Sequence, residues 1–249
     1  EVGTTVTIEP EEKTGFTIST GSTLSGTVTV DGLLTLAVYY DRNQYKLYTK
    51  ADAEAEAVEA GTYYYEAALT APATPEKDGY TFSGWDKSIT TMPAENVTIT
   101  AKWTINQYTI TFDTVGGTAV APITQDYGSA ITAPAAPSKE GHTFKGWSED
   151  IPATMPAANK TIKALWTVNQ YTITFDTDGG TAIAPITQKY GTAVSAPEAP
   201  AKEGFDFAGW DKAIPETMPA ENMTIKAKWN VNQYTITFDT DGGIQIDPI

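Results

Sequence analysis

Asn169-Gln170-Tyr171-Thr172-Ile173-Thr174-Phe175-Asp176-Thr177-Asp178-Gly179-Gly180 is the stretch that decides the fold class. Tyr171, Ile173 and Phe175 alternate with Thr172, Thr174 and Asp176, the period of a strand with one buried and one wet face. β-branched Thr suits the wet face. Asp178-Gly179-Gly180 then signals a tight turn that demands positive φ. A second strand is expected over residues 182–190, with Pro185 marking an edge or a bulge. The stem Asn-Gln-Tyr-(Thr/Lys) starts at Asn43, Asn106, Asn169 and Asn232, each 63 residues after the last. An Ala-(Lys/Leu)-Trp triplet sets Trp103, Trp166 and Trp229 on the same spacing of 63. Two unrelated markers held in step imply tandem modules of one fold.

The rest of the module is equally regular. Ala-Pro-x-x-Pro-x-Lys-(Asp/Glu)-Gly runs from Pro72 to Gly79, Pro134 to Gly141 and Pro197 to Gly204. Two prolines three apart preset an extended or turning path, closed by the Gly. Next comes aromatic-x-Phe-x-Gly-Trp, with Phe82/Trp85, Phe144/Trp147 and Phe207/Trp210 read as the core plug, mostly buried. Met-Pro-Ala-x-Asn follows at Met92, Met155 and Met218 and reads as a turn. In the last strand Val97, Ile99, Ala101 and Trp103 share a face. The linkers Thr104–Gln107, Thr167–Gln170 and Asn230–Gln233 contain no Gly or Pro, so an extended, end-to-end array is expected.

The modules are thus 43–105, 106–168 and 169–231, with 232–249 the start of a fourth, truncated one. Residues 1–42 read as the C-terminal part of a related β module. Residues 24–40 suggest two strands around Asp31-Gly32, a type I′ hairpin signal. The copy at 43–105 departs from the pattern. Residues 50–59 replace the Asp-Thr-Asp-Gly-Gly turn with an Ala/Glu run that is helical by propensity.

Composition excludes several function classes. With no Cys, disulfides, thiolate metal sites and cysteine nucleophiles are ruled out. The formal charge of −15 falls as −4, −4, −1, −3 and −3 over the five segments, so no segment offers a basic surface for nucleic acid. No stretch approaches the ~20 apolar residues of a membrane-spanning helix. Six Trp, thirteen Tyr and eight Phe supply aromatic cores to modules too small for a large aliphatic one.

Tyr-Thr-Ile-Thr-Phe-Asp-Thr-Asp-Gly-Gly, then Pro-x-x-Pro-x-Lys-Glu-Gly-x-x-Phe-x-Gly-Trp, then Met-Pro-Ala-x-Asn-x-Thr-Ile-x-Ala-x-Trp resembles the Listeria–Bacteroides repeat family, the internalin B-type repeats. The resemblance covers residues 43–249. More weakly, residues 1–42 resemble the tail of a mucin-binding-protein-type module. The resemblance implies small β-grasp-like modules, mainly β in an α+β arrangement, in bacterial surface proteins, usually in stalks and adhesins. It carries no catalytic residues.

Candidate sites weigh little against plainer readings. Asp176-Thr177-Asp178-Gly179 and Asp239-Thr240-Asp241-Gly242 resemble the opening of a calcium loop but lack its remainder, and the copy at Asp113 has Val115 in place of the second Asp. His142 stands where Tyr80 and Phe205 stand and reads as an aromatic slot. Carboxylate pairs for glycoside chemistry need a cleft and one raised pKa, and the acids here sit at turns and wet faces. The Pro-x-x-Pro pairs read as structural turns rather than as ligands of aromatic-groove domains. Tyr39-Tyr40 and Tyr63-Tyr64-Tyr65 are the best binding candidates, since adjacent strand residues face opposite ways. The expected catalytic, cofactor-binding and metal residues are therefore none.

The sequence points to a non-enzymatic stalk or spacer of an exported bacterial cell-surface or cell-wall protein, whose partners are its own neighbouring modules. The alternative is a multivalent array engaging a host glycan or protein.

Overall fold

The structure, a computed structural model, describes residues 1–249 and contains strands and turns but no helix. None of its elements is a helix long and apolar enough to cross a membrane. In the N-terminal segment β1 (Thr5–Thr7) pairs antiparallel with β3 (Ser25–Thr27), and β2 (Phe16–Ile18) with β4 (Tyr40–Arg42). The first full repeat carries β5 (Gln44–Lys50), β6 (Val58–Tyr64), β7 (Tyr80–Trp85) and β8 (Val97–Ile105). The second carries β9 (Gln107–Asp113), β10 (Ile123–Asp126), β11 (His142–Trp147) and β12 (Lys160–Val168). The third carries β13 (Gln170–Asp176), β14 (Ile186–Lys189), β15 (Phe205–Trp210) and β16 (Met223–Val231).

Each repeat is one four-stranded sheet with the order second, first, fourth, third: β6-β5-β8-β7, β10-β9-β12-β11 and β14-β13-β16-β15. The two central strands run parallel, with Ile173 opposite Met223 and Phe175 opposite Ile225. Both neighbours of this pair are antiparallel. The parallel ladder joins residues some 50 apart, and Asn222 begins it by accepting the Thr172 N–H on Oδ1 at 2.8 Å. Asn159 does the same for Thr109 and Asn96 for Lys46, each at 2.8 Å. The chain divides into two compact units, 1–108 with 124–130 and 154–158, and 109–123 with 131–153 and 159–249. The first unit contains sheet β6-β5-β8-β7, the second contains sheet β14-β13-β16-β15, and the middle repeat supplies residues to both.

The core of the third repeat is Ile173, Phe175, Met218, Ile225 and Ala227, all buried. The alternation expected for Tyr171–Asp176 and for Val97–Trp103 is what the burial shows. Met-Pro-Ala-x-Asn is more than a turn: Met92, Met155 and Met218 are each 1% exposed. Phe207 and Trp210 are half-buried, short of the expected plug. Trp210 packs against the core cluster of its repeat. Three residues apart, the two side chains would face opposite ways in a regular strand. A bulge between Phe207 and Trp210 puts them together, 5.2 Å between centroids and edge-on.

Four expectations need correction. The α+β, β-grasp-like module is not supported, because no helix crosses the sheet. The connection that could have held one contains the two prolines and stays irregular, as at 191–204. The Ala/Glu run at 50–59 is not helical either: residues 51–55 form bends and β6 begins at Val58. Pairing with β5 outweighs the modest helix preference of so short a run. The strand read at 182–190 shrinks to Ile186–Lys189, and its counterpart at 119–127 to Ile123–Asp126, since Pro185 and Pro122 lack the N–H a ladder needs. Finally, residues 24–40 form no type I′ hairpin. β3 pairs with β1, and of Asp31 and Gly32 only Gly32 has positive φ.

Residues 232–249 contain no strand. Ile236 and Ile249 exchange a pair of backbone hydrogen bonds, at 2.8 and 3.1 Å.

Candidate functional site

The residues that recur most strictly meet where one repeat hands over to the next. Asn106 donates its N–H to the Gly79 carbonyl at 2.9 Å and accepts the Tyr127 N–H at 2.9 Å. Its Oδ1 accepts the Thr81 hydroxyl at 2.6 Å, and its Nδ2 donates to the Tyr108 hydroxyl at 3.4 Å. Asn169 repeats this with Gly141, Tyr190, Thr143 and Tyr171. Asn43 does so with Gly15, Tyr65 and Thr17. Each asparagine thus ties a strand of the preceding segment, β2, β7 or β11, to the end of the second strand of its own repeat. A linker read only as extended is a three-point clip.

A tyrosine seals each clip. Tyr127 lies edge-on to Tyr80 at 5.9 Å, Tyr190 to His142 at 5.9 Å, and Tyr65 to Phe16 at 5.7 Å. The glycine before each of these partners lies flat beneath the tyrosine. A Cβ added at Gly79 would stand 2.2 Å from the Tyr127 ring, at Gly141 2.1 Å from Tyr190, and at Gly15 2.3 Å from Tyr65. His142 therefore occupies the aromatic slot its position suggested, with Nδ1 2.7 Å from the Glu140 carbonyl oxygen. Sequence reading missed the clip because Asn, Gly and Tyr lie up to 50 residues apart. The signal was present in the recurrence of Asn in the stem and of Gly before each aromatic.

The tight turn at Asp178 is held from two sides. Trp229 Nε1 donates to the Thr177 carbonyl at 3.1 Å, and Lys202 Nζ donates to the Asp178 carbonyl at 2.8 Å. Trp166 and Lys139 hold the turn at Val115 in the same way. The Asp pair that suggested a calcium loop is engaged differently. Asp176 Oδ1 accepts the Asp178 N–H at 3.0 Å, and Lys226 Nζ lies 3.3 Å from Asp178 and 3.9 Å from Asp176. The divergent repeat closes its longer loop with ions. Asp52 pairs with Lys77 at 3.1 Å and Glu59 with Lys46 at 2.7 Å. Hydrogen bonding from Lys77 holds the Asp52 carboxyl below its ordinary pKa, and Lys46 does the same for Glu59. The hydrogen bond from Lys46 to Glu59 in turn raises the lysine. All four groups are at the surface, so these are screened interactions.

Of the tyrosines singled out for binding, Tyr39 and Tyr64 are exposed. Tyr63 packs on the core of its repeat and Tyr65 on Phe16, while Tyr40 donates its hydroxyl to the Glu11 carbonyl at 2.7 Å.

The model of the Listeria-Bacteroides repeat domain matches residues 37–104, 108–165 and 171–228. The chain belongs to that family. Over 241 residues it is 33% identical to a protein of Evansella cellulosilytica described as a Gly-rich membrane protein, covering 87% of this chain and 28% of that one. A second protein of that organism, described as a membrane protein, is 35% identical over 194 residues, 68% of this chain and 29% of the relative. Internalin H of Listeria monocytogenes is 38% identical over 117 residues, 39% of this chain and 21% of its own length. This Listeria-Bacteroides repeat chain therefore spans less than a third of each of these relatives.

Proposed function

We propose that these Listeria-Bacteroides repeats form a non-enzymatic stalk or spacer in an exported bacterial surface protein, an adhesin in the stalk-and-head sense. The observation that carries this reading is the Asn-Gly-Tyr clip. It recurs around Asn43, Asn106 and Asn169 with the same three hydrogen bonds, to a glycine, a tyrosine and a threonine, and an edge-on ring contact each time. A protein that needs only linked domains has no use for ordered junctions, whereas a spacer transmits position through them. The descriptions of the relatives as membrane proteins and as an internalin support a cell-surface or cell-wall setting. The partners in this reading are the neighbouring repeats.

Small-angle scattering of the full chain tests it. A compact protein of this length has a radius of gyration of about 18 Å. A stalk gives a clearly larger value, and inserting Gly-Gly-Ser at Val168 broadens the distance distribution without unfolding a repeat. A value near the compact one contradicts the proposal.

The exposed Tyr39 and Tyr64 favour a second reading, a binding array for a host glycan or protein. Tyr64 corresponds to Asp126 and Lys189 in the other repeats, so this surface occurs once, which suits an array poorly.

A further inference from the structure

Leu47, Leu69, Pro72, Trp85, Ile89 and Ile99 line a cavity of about 260 Å³ in the first full repeat. The counterparts of five of these in the third repeat, Ile173, Val194, Trp210, Ile214 and Ile225, pack in one cluster with Phe175. There the phenyl ring packs against the tryptophan, 5.3 Å from Trp210. Phe112 takes the same place in the second repeat, 5.0 Å from Trp147. The first repeat has Thr49 at this position. It also has Gly61 where the other repeats have Ile123 and Ile186. Tyr63 makes good part of that second loss, since a Cβ at Gly61 would stand 2.8 Å from its ring.

We propose that this cavity is a binding site for a single aromatic ring, of the phenyl or phenol class. Its walls are the counterparts of those around the Phe175 ring in the third repeat, including the tryptophan, which meets that ring at a tilt of 52°. An apolar cavity of about 150 Å³ is enough to bind benzene, so a substituted ring fits the volume. Ser88 and Lys87, whose Nζ donates to the Thr98 carbonyl at 3.0 Å, also line the cavity. The divergence of this repeat from its sisters thereby becomes a specialisation: a core phenylalanine is exchanged for Thr49, next to a cavity walled by the counterparts of that ring's neighbours. The inference is independent of the stalk reading.

The test is titration of the methyl-labelled full chain with p-cresol, followed by NMR. Saturable shifts are expected at Leu47, Leu69, Ile89 and Ile99, with an apparent Kd of about 1 mM or tighter. Ile110 and Ile162 in the second repeat, and Ile173 and Ile225 in the third, should not move. Thr49→Phe restores the sister-repeat ring and should abolish the shifts, weakening apparent affinity at least tenfold. The proposal is overturned by unsaturable shifts, by equal shifts in all three repeats, or by undiminished binding to folded Thr49→Phe. Should that variant not fold, the comparison of the three repeats within the native chain decides alone.

Discussion

Residues 169–180 and 232–243 are the same dodecapeptide in two different states. In the first, residues 170–176 form β13 and Ile173 is 0% exposed. In the second there is no strand, and Ile236 and Phe238 are 59% and 42% exposed. Yet the turn that follows is the same in both. Asp178 and Gly179 have φ of 48° and 88°, and Asp241 and Gly242 have 45° and 84°. The Gly180 N–H bonds the Thr177 carbonyl at 3.0 Å, and Gly243 bonds Thr240 at 2.9 Å. The turn is built from its own four residues. The strand exists only where β16, some 50 residues later, lies parallel to it. Alternation prepares a face; the partner strand decides whether that face is buried.

The sharpest way to break this comparison is to truncate the same residue in both contexts. Ile173→Ala should cost about 2–5 kcal/mol, because it empties a closed core. Ile236→Ala, in identical local sequence, should stay within about 0.5 kcal/mol. Repeat-resolved chemical denaturation reads both, and equal costs would show that the C-terminal segment is as well packed as β13.

The junctions offer a second contrast. Gly79 and Gly204 have φ of +76° and +77°, but only Gly79 lies under a tyrosine. Gly204→Ala should cost about 1–2 kcal/mol from backbone strain. Gly79→Ala should lose about 1–3 kcal/mol more as Tyr127 is displaced. The same denaturation experiment separates them, and matching losses would mean that the ring contact contributes nothing.

The third effect is smaller and of opposite sign. Val115, a β-branched residue, is held at φ 50° where the sister repeats have Asp. Val115→Asp should stabilise the second repeat by about 1 kcal/mol, and Asp178→Val should destabilise the third by a similar amount. Thermal denaturation monitored per repeat checks both signs.

The smallest effect is electrostatic. Asp52 and Glu59 have lowered pKa values in the folded chain. Their contribution is present above the ordinary carboxylate range and disappears as pH falls through the depressed folded values. Lys46, raised, contributes below the ordinary lysine pKa, and its share is lost as pH rises through the folded value. Acid titration of stability should therefore show a weak, salt-sensitive loss in the first repeat that Asp52→Asn reduces.

This pattern also explains what could be read from the sequence. The strand faces of Tyr171–Phe175 and Val97–Trp103, and the turn at Asp178, follow from local period and turn chemistry, and they were legible. Pairing is a long-range property. Hence β3 meets β1 where a local hairpin was expected, and residues 50–59 yield to β5 despite their helix preference. Met218 was hidden because Met-Pro-Ala resembles a turn, and only the folded sheet shows that it closes the core. Trp229 was recognised as a marker, but its hydrogen bond to Thr177, 52 residues away, depends on the whole module. The Asn clip was hidden for the same reason.

A spacer requires junctions as ordered as the sheets they join. Native-state amide hydrogen exchange measures this directly. The N–H groups of Asn106, Tyr127, Asn169 and Tyr190 all donate across a junction at 2.9 Å. They should be protected to the level of the neighbouring strand amides, while those of residues 233–235 and 237–239 exchange quickly. Junction amides that exchange as fast as the C-terminal segment, with β5, β9 and β13 still protected, would contradict the account.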